Sequence, residues 1–459
     1  MSRISVVGLG KLGACMAACI ASKGHTVIGV DLSPSTVGLV NSGQPPVVEP
    51  GLGDRMSEAR ARLAATDDYD EAIRKSEITF IVVPTPSENH GAFSLRHVRE
   101  AALGIGRALR KKSTYHLVVL TSTVLPGSSE YGVLPLLERE SGKRCGEDFG
   151  FCYGPEFIAL GSVIRDFLNP DFVLVGESDD RAGDLLAGLY QSICDNHPPI
   201  ARMSLVNAEL TKISINTFVT MKITFANMLA AMCEQLPGGD IDQVTAGLGL
   251  DSRIGPRYLK GALGYGGPCF PRDNLALAYL ARELGQTAPL AEATDEYNRT
   301  IVDRLAERIT TFANHGSKVA ILGLAYKPDT CVVEESQGLQ LAARLAIKGL
   351  KIMVYDPLAL ENARRILGNA VHYAGSLEEC VQKAEVLVIA NPDREFARIH
   401  TEQLTLRPGQ IVFDAWRSLR RRFVDNGSVS YFPLGVGDRT EELAERLQNL
   451  WRERLEATA

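Results

Sequence analysis

The sequence predicts an α/β protein with two doubly wound parallel sheets, joined by a long central helix and a helical middle region. Two observations support this fold class. Short apolar runs alternate with amphipathic helical segments over the first 200 residues and again after residue 300, an alternation typical of parallel sheets covered by helices on both faces. Between these halves, one uninterrupted helical pattern covers residues 207–235.

Composition places the chain among ordinary globular proteins. Its 459 residues are 45% apolar and 23% charged, with a formal net charge of −6. A disordered chain would be poorer in apolar residues, and a nucleic-acid-binding protein would carry an excess of basic residues. The apolar stretch near the N-terminus, residues 13–21, is shorter than the ~20 residues needed to cross a bilayer. We therefore expect a cytoplasmic protein with neither a nucleic-acid partner nor a membrane partner.

The cysteine pattern argues against structural cross-links. The nine cysteines are odd in number, widely scattered and without a C-x-x-C pair, so neither a disulfide framework nor a zinc knuckle fits. We expect no bound metal, and most of these residues should be buried thiols.

The first half begins with a βαβ unit. A β-branched run is followed by a glycine-rich turn, an Ala-rich helix ending near Lys23, and a second strand ending in an acid. The strand patterns of this half cover residues 3–8, 24–31, 78–83, 117–120 and 149–153.

The turn after the first strand has the spacing of a dinucleotide-binding motif. Gly8, Gly10 and Gly13 allow a tight turn, a close approach of the backbone to a pyrophosphate, and close helix packing. Asp31 follows at the end of the next strand, where a carboxylate accepts from a ribose 2′-hydroxyl and repels a 2′-phosphate. The pattern favours NAD over NADP, and the alternative is a glycine-rich turn that binds nothing.

The central helical run predicts an element about 43 Å long at 1.5 Å per residue, which would join domains or subunits. Lys212 and Asn216 are four residues apart on it and share one face. One explanation is that Lys212 forms a salt bridge with a neighbouring acid. The other is that Lys212 and Asn216 both donate hydrogen bonds to an oxyanion that forms during a reaction.

The βαβ pattern returns in the second half, with a helix over residues 336–348. Residues 349–356 repeat the spacing of residues 24–31, but the turn at 323–328 lacks the three glycines, so this copy should bind its nucleotide differently. The strand patterns of this half cover residues 318–323, 349–356, 386–389 and 411–414.

Two further positions could carry chemistry. Cys269 lies in a glycine- and proline-rich loop, closely followed by Arg272 and Asp273, where a thiolate could act as a nucleophile. The alternative is a buried structural cysteine. Glu156 follows the strand at 149–153. Two roles fit it equally: a general base, or a charge that stabilises the start of a helix.

Taken together, these segments resemble the UDP-glucose/GDP-mannose 6-dehydrogenase family over nearly the whole chain. The Cys269 loop, G-Y-G-G-P-C-F-P-R-D, is closer to the glucose and mannose branch than to the G-G-H-C loop of the N-acetylhexosamine branch. The other shared motifs cover residues 48–52, 83–86, 122–124, 169–171, 253–255 and 323–329.

The resemblance implies a four-electron oxidation of a sugar C6 alcohol to a carboxylate, with two NAD per turnover. Cys269 would capture the aldehyde as a thiohemiacetal, which a second hydride loss converts to a thioester. Lys212 and Asn216 would stabilise the oxyanions. Asp273 and Thr123 would organise a water molecule, and Glu156 would assist proton transfer during hydrolysis.

The resemblance also implies two binding sets. The cofactor set is Gly8, Leu9, Gly10, Lys11, Leu12, Gly13, Asp31, Thr85 and Thr123. The substrate set is Glu156, Lys212, Asn216, Arg253, Tyr258, Lys260, Leu263, Gly264, Tyr265, Gly266, Tyr326 and Lys327.

By the same resemblance the chain has three domains. Residues 1–203 would bind NAD in a Rossmann domain, residues 204–300 would form a helical dimerisation domain, and residues 301–459 would bind the nucleotide sugar in a second, Rossmann-like domain. A homodimer built on the long helix is expected, with Arg253 entering the partner's site. Whether higher oligomers form is left open.

Four positions depart from the family pattern. Leu160 replaces a second glutamate, Pro268 replaces a serine, Glu335 replaces an arginine near the cofactor, and Arg417 follows Asp-Ala-Trp where Asp-Gly-Arg is usual. UDP-glucose is the first substrate expected, with TDP-glucose and GDP-mannose behind it. A catalytically silent binding protein and a two-electron dehydrogenase of a small hydroxy acid are the alternatives.

Overall fold

The computed structural model describes residues 1–402, 404–423 and 428–456. Its strands are β1 (Arg3–Val7), β2 (Thr26–Val30), β3 (Leu63–Thr66), β4 (Ile78–Ile81), β5 (His116–Leu120), β6 (Phe149–Tyr153), β7 (Val173–Glu177), β8 (Ile200–Ser204), β9 (Lys318–Leu322), β10 (Lys351–Tyr355), β11 (His372–Tyr373), β12 (Val386–Ile389), β13 (Ile411–Asp414) and β14 (Ser430–Pro433).

The helices alternate with these strands in both halves. They are α1 (Lys11–Ser22), α2 (Pro34–Ser42), α3 (Leu52–Glu58), α4 (Tyr69–Lys75), α5 (Arg96–Arg110), α6 (Leu134–Ser141), α7 (Val163–Leu168), α8 (Asp180–Ile193), α9 (Leu205–Cys233), α10 (Ile241–Leu250), α11 (Phe270–Glu283), α12 (Pro289–Thr310), α13 (Gln337–Ile347), α14 (Leu360–Leu367), α15 (Leu377–Lys383) and α16 (Glu441–Glu456). A π-helix covers Ser128–Val133, and short 3-10 helices cover Arg394–Arg398 and Arg420–Arg422.

Two sheets confirm the predicted fold class. The first has eight strands in the order β3-β2-β1-β4-β5-β6-β7-β8, and the second has six in the order β11-β10-β9-β12-β13-β14. In each, the first strand of the half lies centrally, between the second strand and the strand that starts the next βαβ unit, which is the doubly wound arrangement.

The expectation of a wholly parallel first sheet is wrong at one pair, because β6 and β7 are antiparallel. Residues 154–172, which include α7, connect the two strands. Because the strands are antiparallel, this connection begins and ends at the carboxyl edge of the sheet, where ligands of α/β sheets bind. Glu156 lies on this connection, three residues after β6 ends.

The chain forms two compact units, one of residues 1–215 with 279–286 and the other of residues 216–278 with 287–459. Each sheet has an apolar cluster on both faces. In the first unit, Ile4 and Val6 face one cluster and Val7 faces the other. In the second unit, Ile321 and Leu322 divide in the same way. This alternation follows from the two-residue period of a strand.

Helix α9 begins at Leu205, directly after β8, and ends at Cys233, two residues from each predicted boundary. The boundary between the two compact units falls inside this helix. The division into three domains at residues 203 and 300 stays a prediction. No helix in the described part of the chain is long and apolar enough to span a membrane.

Candidate active site

The turn after β1 has the shape that a dinucleotide requires. Gly8 has a φ of +93°, and a Cβ at this residue would lie 2.3 Å from the carbonyl oxygen of Val82. A Cβ at Gly13 would lie 1.9 Å from the carbonyl oxygen of Gly8. Gly10, by contrast, faces open space. The first and third glycines therefore hold the turn against the sheet, and the second leaves the backbone accessible to a ligand.

The start of α1 fits a pyrophosphate. Gly10 caps the helix without a side-chain hydrogen bond, and the first turn contains no acidic residue. The backbone N–H groups at this end and the positive end of the helix dipole thus stay available for an anion. Of the other residues in the predicted cofactor set, Leu9 is buried, Lys11 is exposed and Leu12 is half-buried.

Asp31 lies beside this turn. Its Oδ2 accepts from the backbone N–H of Leu9 at 2.8 Å, and its Oδ1 accepts from the N–H of Ser33 at 2.9 Å. Each carboxylate oxygen has two lone pairs, so both oxygens can also accept from ribose hydroxyls. The residues present therefore fit NAD.

The corresponding acid of the second sheet is used differently. Asp356 is buried and accepts four backbone N–H groups, two from the turn after β9 and two from the residues after β10. Its four lone-pair positions are thereby filled. Asp356 therefore has no lone pair left for a ribose hydroxyl, unlike Asp31.

Thr85 and Thr123 follow two neighbouring strands, β4 and β5. The hydroxyl of Thr85 donates to the backbone oxygen of Thr123 at 2.7 Å. Thr85 is buried by this contact, whereas Thr123 is half-exposed. Ser122 reinforces the junction because its hydroxyl accepts from the N–H of Val83 at 3.0 Å and donates to the oxygen of Val83 at 2.6 Å. The two threonines thus lie together at the carboxyl edge of the sheet.

Glu156, Tyr190 and Lys212 form one cluster of the first unit. The Tyr190 hydroxyl donates to Oε1 of Glu156 at 2.6 Å, and Nζ of Lys212 donates to the backbone oxygen of Glu156 at 2.6 Å. Removal from water raises the pKa of Glu156 to about 7, although the Tyr190 hydrogen bond and the charge of Lys212 oppose the rise. A carboxyl group with this pKa can give and take a proton near neutral pH.

Lys212 is buried, and its ammonium also lies 4.2 Å from the centre of the Phe157 ring. Glu209, one turn earlier on α9, is fully buried, and its carboxylate accepts from the backbone N–H groups of Gly127 and Ser129 at 2.6 and 2.8 Å. This acid ties α9 to the segment that follows Thr123. Sequence reasoning did not assign Glu209 a role, although an acid among apolar helix residues is a signal for one.

Cys269 is the most accessible thiol of the chain. All nine cysteines lie within the described residues, and Cys269 alone among them is exposed. It directly precedes α11, and its backbone oxygen accepts from the N–H of Asp273 in the first turn. A thiolate at a helix N-terminus is stabilised by the helix dipole. Burial raises the pKa of the Cys19, Cys194 and Cys380 thiols to about 12, so these are structural.

Asn216 and Asp273 form a cluster in the second unit. The amide Nδ2 of Asn216 donates to Oδ2 of Asp273 at 2.6 Å. Asp273 is buried, with Nε of Arg272 lying 3.6 Å from its Oδ1. Because Asp273 also lies one turn after Cys269, the helix that begins at the thiol presents this carboxylate toward Asn216.

The predicted substrate residues differ in accessibility. Arg253, Tyr258 and Lys260 are exposed, whereas the side chains of Leu263 and Tyr265 are buried. Only the backbone of the latter two is available to a ligand. Arg253 pairs with Asp251 at 2.6 Å.

The glycines of the Cys269 loop pack against the turn after β9. A Cβ at Gly266 would lie 2.3 Å from the backbone oxygen of Glu335, and a Cβ at Gly267 would lie 2.7 Å from the Tyr326 ring. Lys327 extends beside Tyr326, with its Nζ 5.9 Å from the ring centre. The structure thus brings Gly266, Tyr326 and Lys327 of the predicted substrate set together.

Two departures from the family pattern have a structural basis. Leu160 packs against the apolar core of the first unit, a place unsuited to a second carboxylate. Arg417 is buried and binds Asp242 at 2.8 Å and the backbone oxygen of Leu434 at 2.7 Å. Its guanidinium is therefore held within the second unit by protein groups.

The fold and this site define an NAD-binding dehydrogenase with a second, nucleotide-sugar-binding sheet. The family models that match describe the NAD binding, central and UDP binding domains of the UDP-glucose/GDP-mannose dehydrogenase family, over residues 2–194, 206–300 and 320–421. The chain belongs to this family, that of the nucleotide-sugar 6-dehydrogenases, and its cofactor is NAD.

Relatives with two different substrates resemble the chain. A UDP-glucose 6-dehydrogenase, AglM of Haloferax volcanii, is 37% identical over 91% of this chain and 97% of its own. A GDP-mannose 6-dehydrogenase of Pseudomonas putida is 35% identical over 86% and 92%. A UDP-glucose dehydrogenase structure from Pyrobaculum islandicum has a TM-score of 0.85 at 34% identity, covering 95% of this chain and 98% of its own.

Proposed function

We propose that this protein oxidises the C6 hydroxyl of UDP-glucose to a carboxylate in two NAD-dependent steps, through thiohemiacetal and thioester intermediates on Cys269. The exposure of Cys269 at the start of α11, one turn before the buried Asp273, is the observation that carries this proposal. An aldehyde has no carbinol proton to lose with its hydride, and addition of a thiolate removes that obstacle by making the carbon tetrahedral.

NAD, when bound, would be the two-electron oxidant of each step, one NAD for the alcohol and a second for the thiohemiacetal, and the Gly8–Gly13 turn and Asp31 would hold it. Cys269 forms a carbon–sulfur bond to the aldehyde, and water later breaks that bond to release the acid and the thiol. Each oxidation step also releases one proton from a sugar oxygen. The balance is one alcohol, one water and two NAD⁺ giving one carboxylate, two NADH and three protons, the third proton coming from ionisation of the acid.

The proposed roles follow from the two clusters. Lys212 and Asn216 would donate hydrogen bonds to the oxyanions formed at C6. Lys212 is a cation and Asn216 is an amide, and the two lie on successive turns of α9. Asp273 and Thr123 would orient water. Glu156, whose pKa lies near 7, would take a proton from water during thioester hydrolysis.

UDP-glucose is favoured because AglM combines the higher identity with nearly complete coverage of both chains. GDP-mannose is the second candidate, since GDP-mannose 6-dehydrogenases are similar over most of the chain. TDP-glucose is third. A catalytically silent protein that binds NAD and nucleotide sugar is the alternative from another class.

We also propose a homodimer built on α9, with Arg253 contributed to the partner's site and the domains divided at residues 203 and 300. Apolar side chains of α9 that are at least 46% exposed support this assembly, namely Phe218, Phe225 and Met232. Such side chains favour contact with another surface.

The test follows NADH absorbance with UDP-, TDP- and GDP-sugars, together with the acid formed. Two NADH per molecule of UDP-glucuronate are expected from the wild-type chain, and Cys269→Ser should form no acid. One NADH per sugar with aldehyde release would contradict the four-electron mechanism. Binding of NAD and sugar without NADH formation would favour the silent protein.

A further inference from the structure

The loop at residues 262–265, which precedes Cys269, is held by side-chain amides from two helices. On α9, Oδ1 of Asn227 accepts from the N–H of Ala262 at 2.7 Å, and Nδ2 of the same amide donates to the oxygen of Leu263 at 3.2 Å. Asn227 is fully buried. A carboxamide used in this way replaces a neighbouring strand, because it pairs with one backbone donor and one backbone acceptor.

The second amide acts two residues further along. On α12, Oδ1 of Asn298 accepts from the N–H of Tyr265 at 2.9 Å, and its Nδ2 donates to the oxygen of Tyr265 at 3.0 Å. Between the two brackets, a Cβ at Gly264 would lie 2.2 Å from Oδ1 of Asn298. Glycine is thus required at 264 because the Asn298 amide occupies the space of a side chain.

The side chain of Tyr265 ties the loop to a third helix. Nδ2 of Asn274, on α11, donates to the Tyr265 hydroxyl at 2.9 Å, and the hydroxyl of Thr220 donates to Oδ1 of Asn274 at 3.1 Å. Helix α11 is the one that begins immediately after Cys269. The loop and three helices, one of which begins directly after Cys269, therefore share one buried hydrogen-bond network in the second unit.

We infer that Asn227 and Asn298 are positioning residues, which fix the backbone of residues 262–265 in the conformation that binds the nucleotide sugar. Both amides are occupied by the loop backbone, so they act through the loop and not on the substrate. Loss of either amide would leave buried backbone groups unpaired and the loop free to move. This inference rests on the proposed function.

The experiment compares Asn298→Ala and Asn227→Ala with a matched control in the first unit. Asn41 brackets Ala65 in the same way, donating to its oxygen at 2.9 Å and accepting from its N–H at 2.8 Å. Asn41→Ala therefore removes a pair of backbone contacts of the same geometry, at a more exposed position, without touching the loop. Three readouts are needed: amide hydrogen exchange of residues 262–265, kcat/KM for UDP-glucose, and KM for NAD.

We expect faster exchange at Ala262 in Asn227→Ala and at Tyr265 in Asn298→Ala. Both variants should lose about 100-fold in kcat/KM for UDP-glucose, the scale of a misplacement of about 1 Å. KM for NAD should stay at the wild-type value in both. Asn41→Ala should show neither the local exchange nor the loss for UDP-glucose.

The inference would be overturned if Asn298→Ala kept the wild-type kcat/KM for UDP-glucose and differed from the wild type only by a lower melting temperature, as Asn41→Ala should. If the wild-type chain oxidises no nucleotide sugar, the proposed function fails, and unchanged exchange at Ala262 and Tyr265 would separately overturn the positioning role. Should the alanine variants not fold, Tyr265→Phe removes only the hydroxyl, which accepts from Asn274 at 2.9 Å and donates to Asp295 at 3.5 Å. That variant should lose about tenfold in kcat/KM, the equivalent of one hydrogen bond, and no loss would count against the inference.

Discussion

The hydroxyl of Tyr190 donates to Oε1 of Glu156 across 2.6 Å, joining α8 to the connection that follows β6. Tyr190 is buried, and burial together with the Glu156 carboxylate raises its own pKa, so it stays a donor throughout the neutral range. The same hydrogen bond favours the ionised form of Glu156 and limits the rise of its pKa to about 7.

Tyr190→Phe should move the acid limb of the pH profile for acid formation to higher pH. The variant removes a hydrogen bond that stabilises the carboxylate, so the pKa of Glu156 rises further, by about one pH unit for a charged hydrogen bond. Activity should fall near pH 7 and recover in alkaline buffer. Tyr373→Phe, which removes a 2.8 Å hydrogen bond to the oxygen of Gly368, is the control. An unmoved limb would exclude Glu156 as the titrating group.

The same pKa has a consequence for stability. Folding raises the pKa of Glu156 from its ordinary 4.5 to about 7, so the folded chain holds this proton more tightly than the unfolded chain. The resulting stabilisation is complete below about pH 4.5 and is lost as the pH rises through about 7. Glu156→Gln cannot ionise and should remove this pH dependence, so its melting temperature should fall less than that of the wild type as the pH rises from about 4.5 to above 7.

Asp31 and Asp356 occupy equivalent positions in the two sheets. Replacing Asp31 should weaken NAD binding, whereas replacing Asp356 should lower the stability of the fold. Asp31→Asn should raise KM for NAD about tenfold, because a ribose hydrogen bond to a charged acceptor is lost. Asp356→Asn should leave KM for NAD unchanged and lower the melting temperature by about 5 °C, since four backbone N–H groups, three of them buried, lose a carboxylate acceptor. Melting curves and NAD titrations of both variants separate the two roles. A raised KM for NAD in Asp356→Asn would contradict this assignment.

Cys269 should be the thiol that iodoacetamide modifies first. It is exposed at a helix start, whereas a buried thiol of pKa about 12 has only about one part in 10⁵ of thiolate at pH 7. Peptide mass spectrometry after brief alkylation should find the adduct at Cys269, and Cys269→Ser should lose it. Rapid modification of Cys19 or Cys380 in the variant would contradict the assignment.

Local sequence patterns were enough to predict the scaffold. The βαβ alternation, the turn at Gly8–Gly13 and the limits of α9 follow from apolar periodicity and glycine spacing, which act between residues close in the chain. The antiparallel entry of β7 into the first sheet was missed, because a connection that crosses the sheet and one that stays at its edge have similar composition.

By itself the sequence determined the two parallel-sheet folds, the glycine turn that fits NAD, and the loop that carries Cys269, because each depends on neighbouring residues. Only the tertiary structure decided that Tyr190 meets Glu156, that Asp356 is saturated by backbone N–H groups, and that Asn227 and Asn298 bracket the substrate loop. Apart from the two N–H groups that Asp356 accepts from Leu358 and Ala359, those contacts join residues more than 30 positions apart in the chain, and no local pattern encodes which distant side chain will fill a buried hydrogen bond.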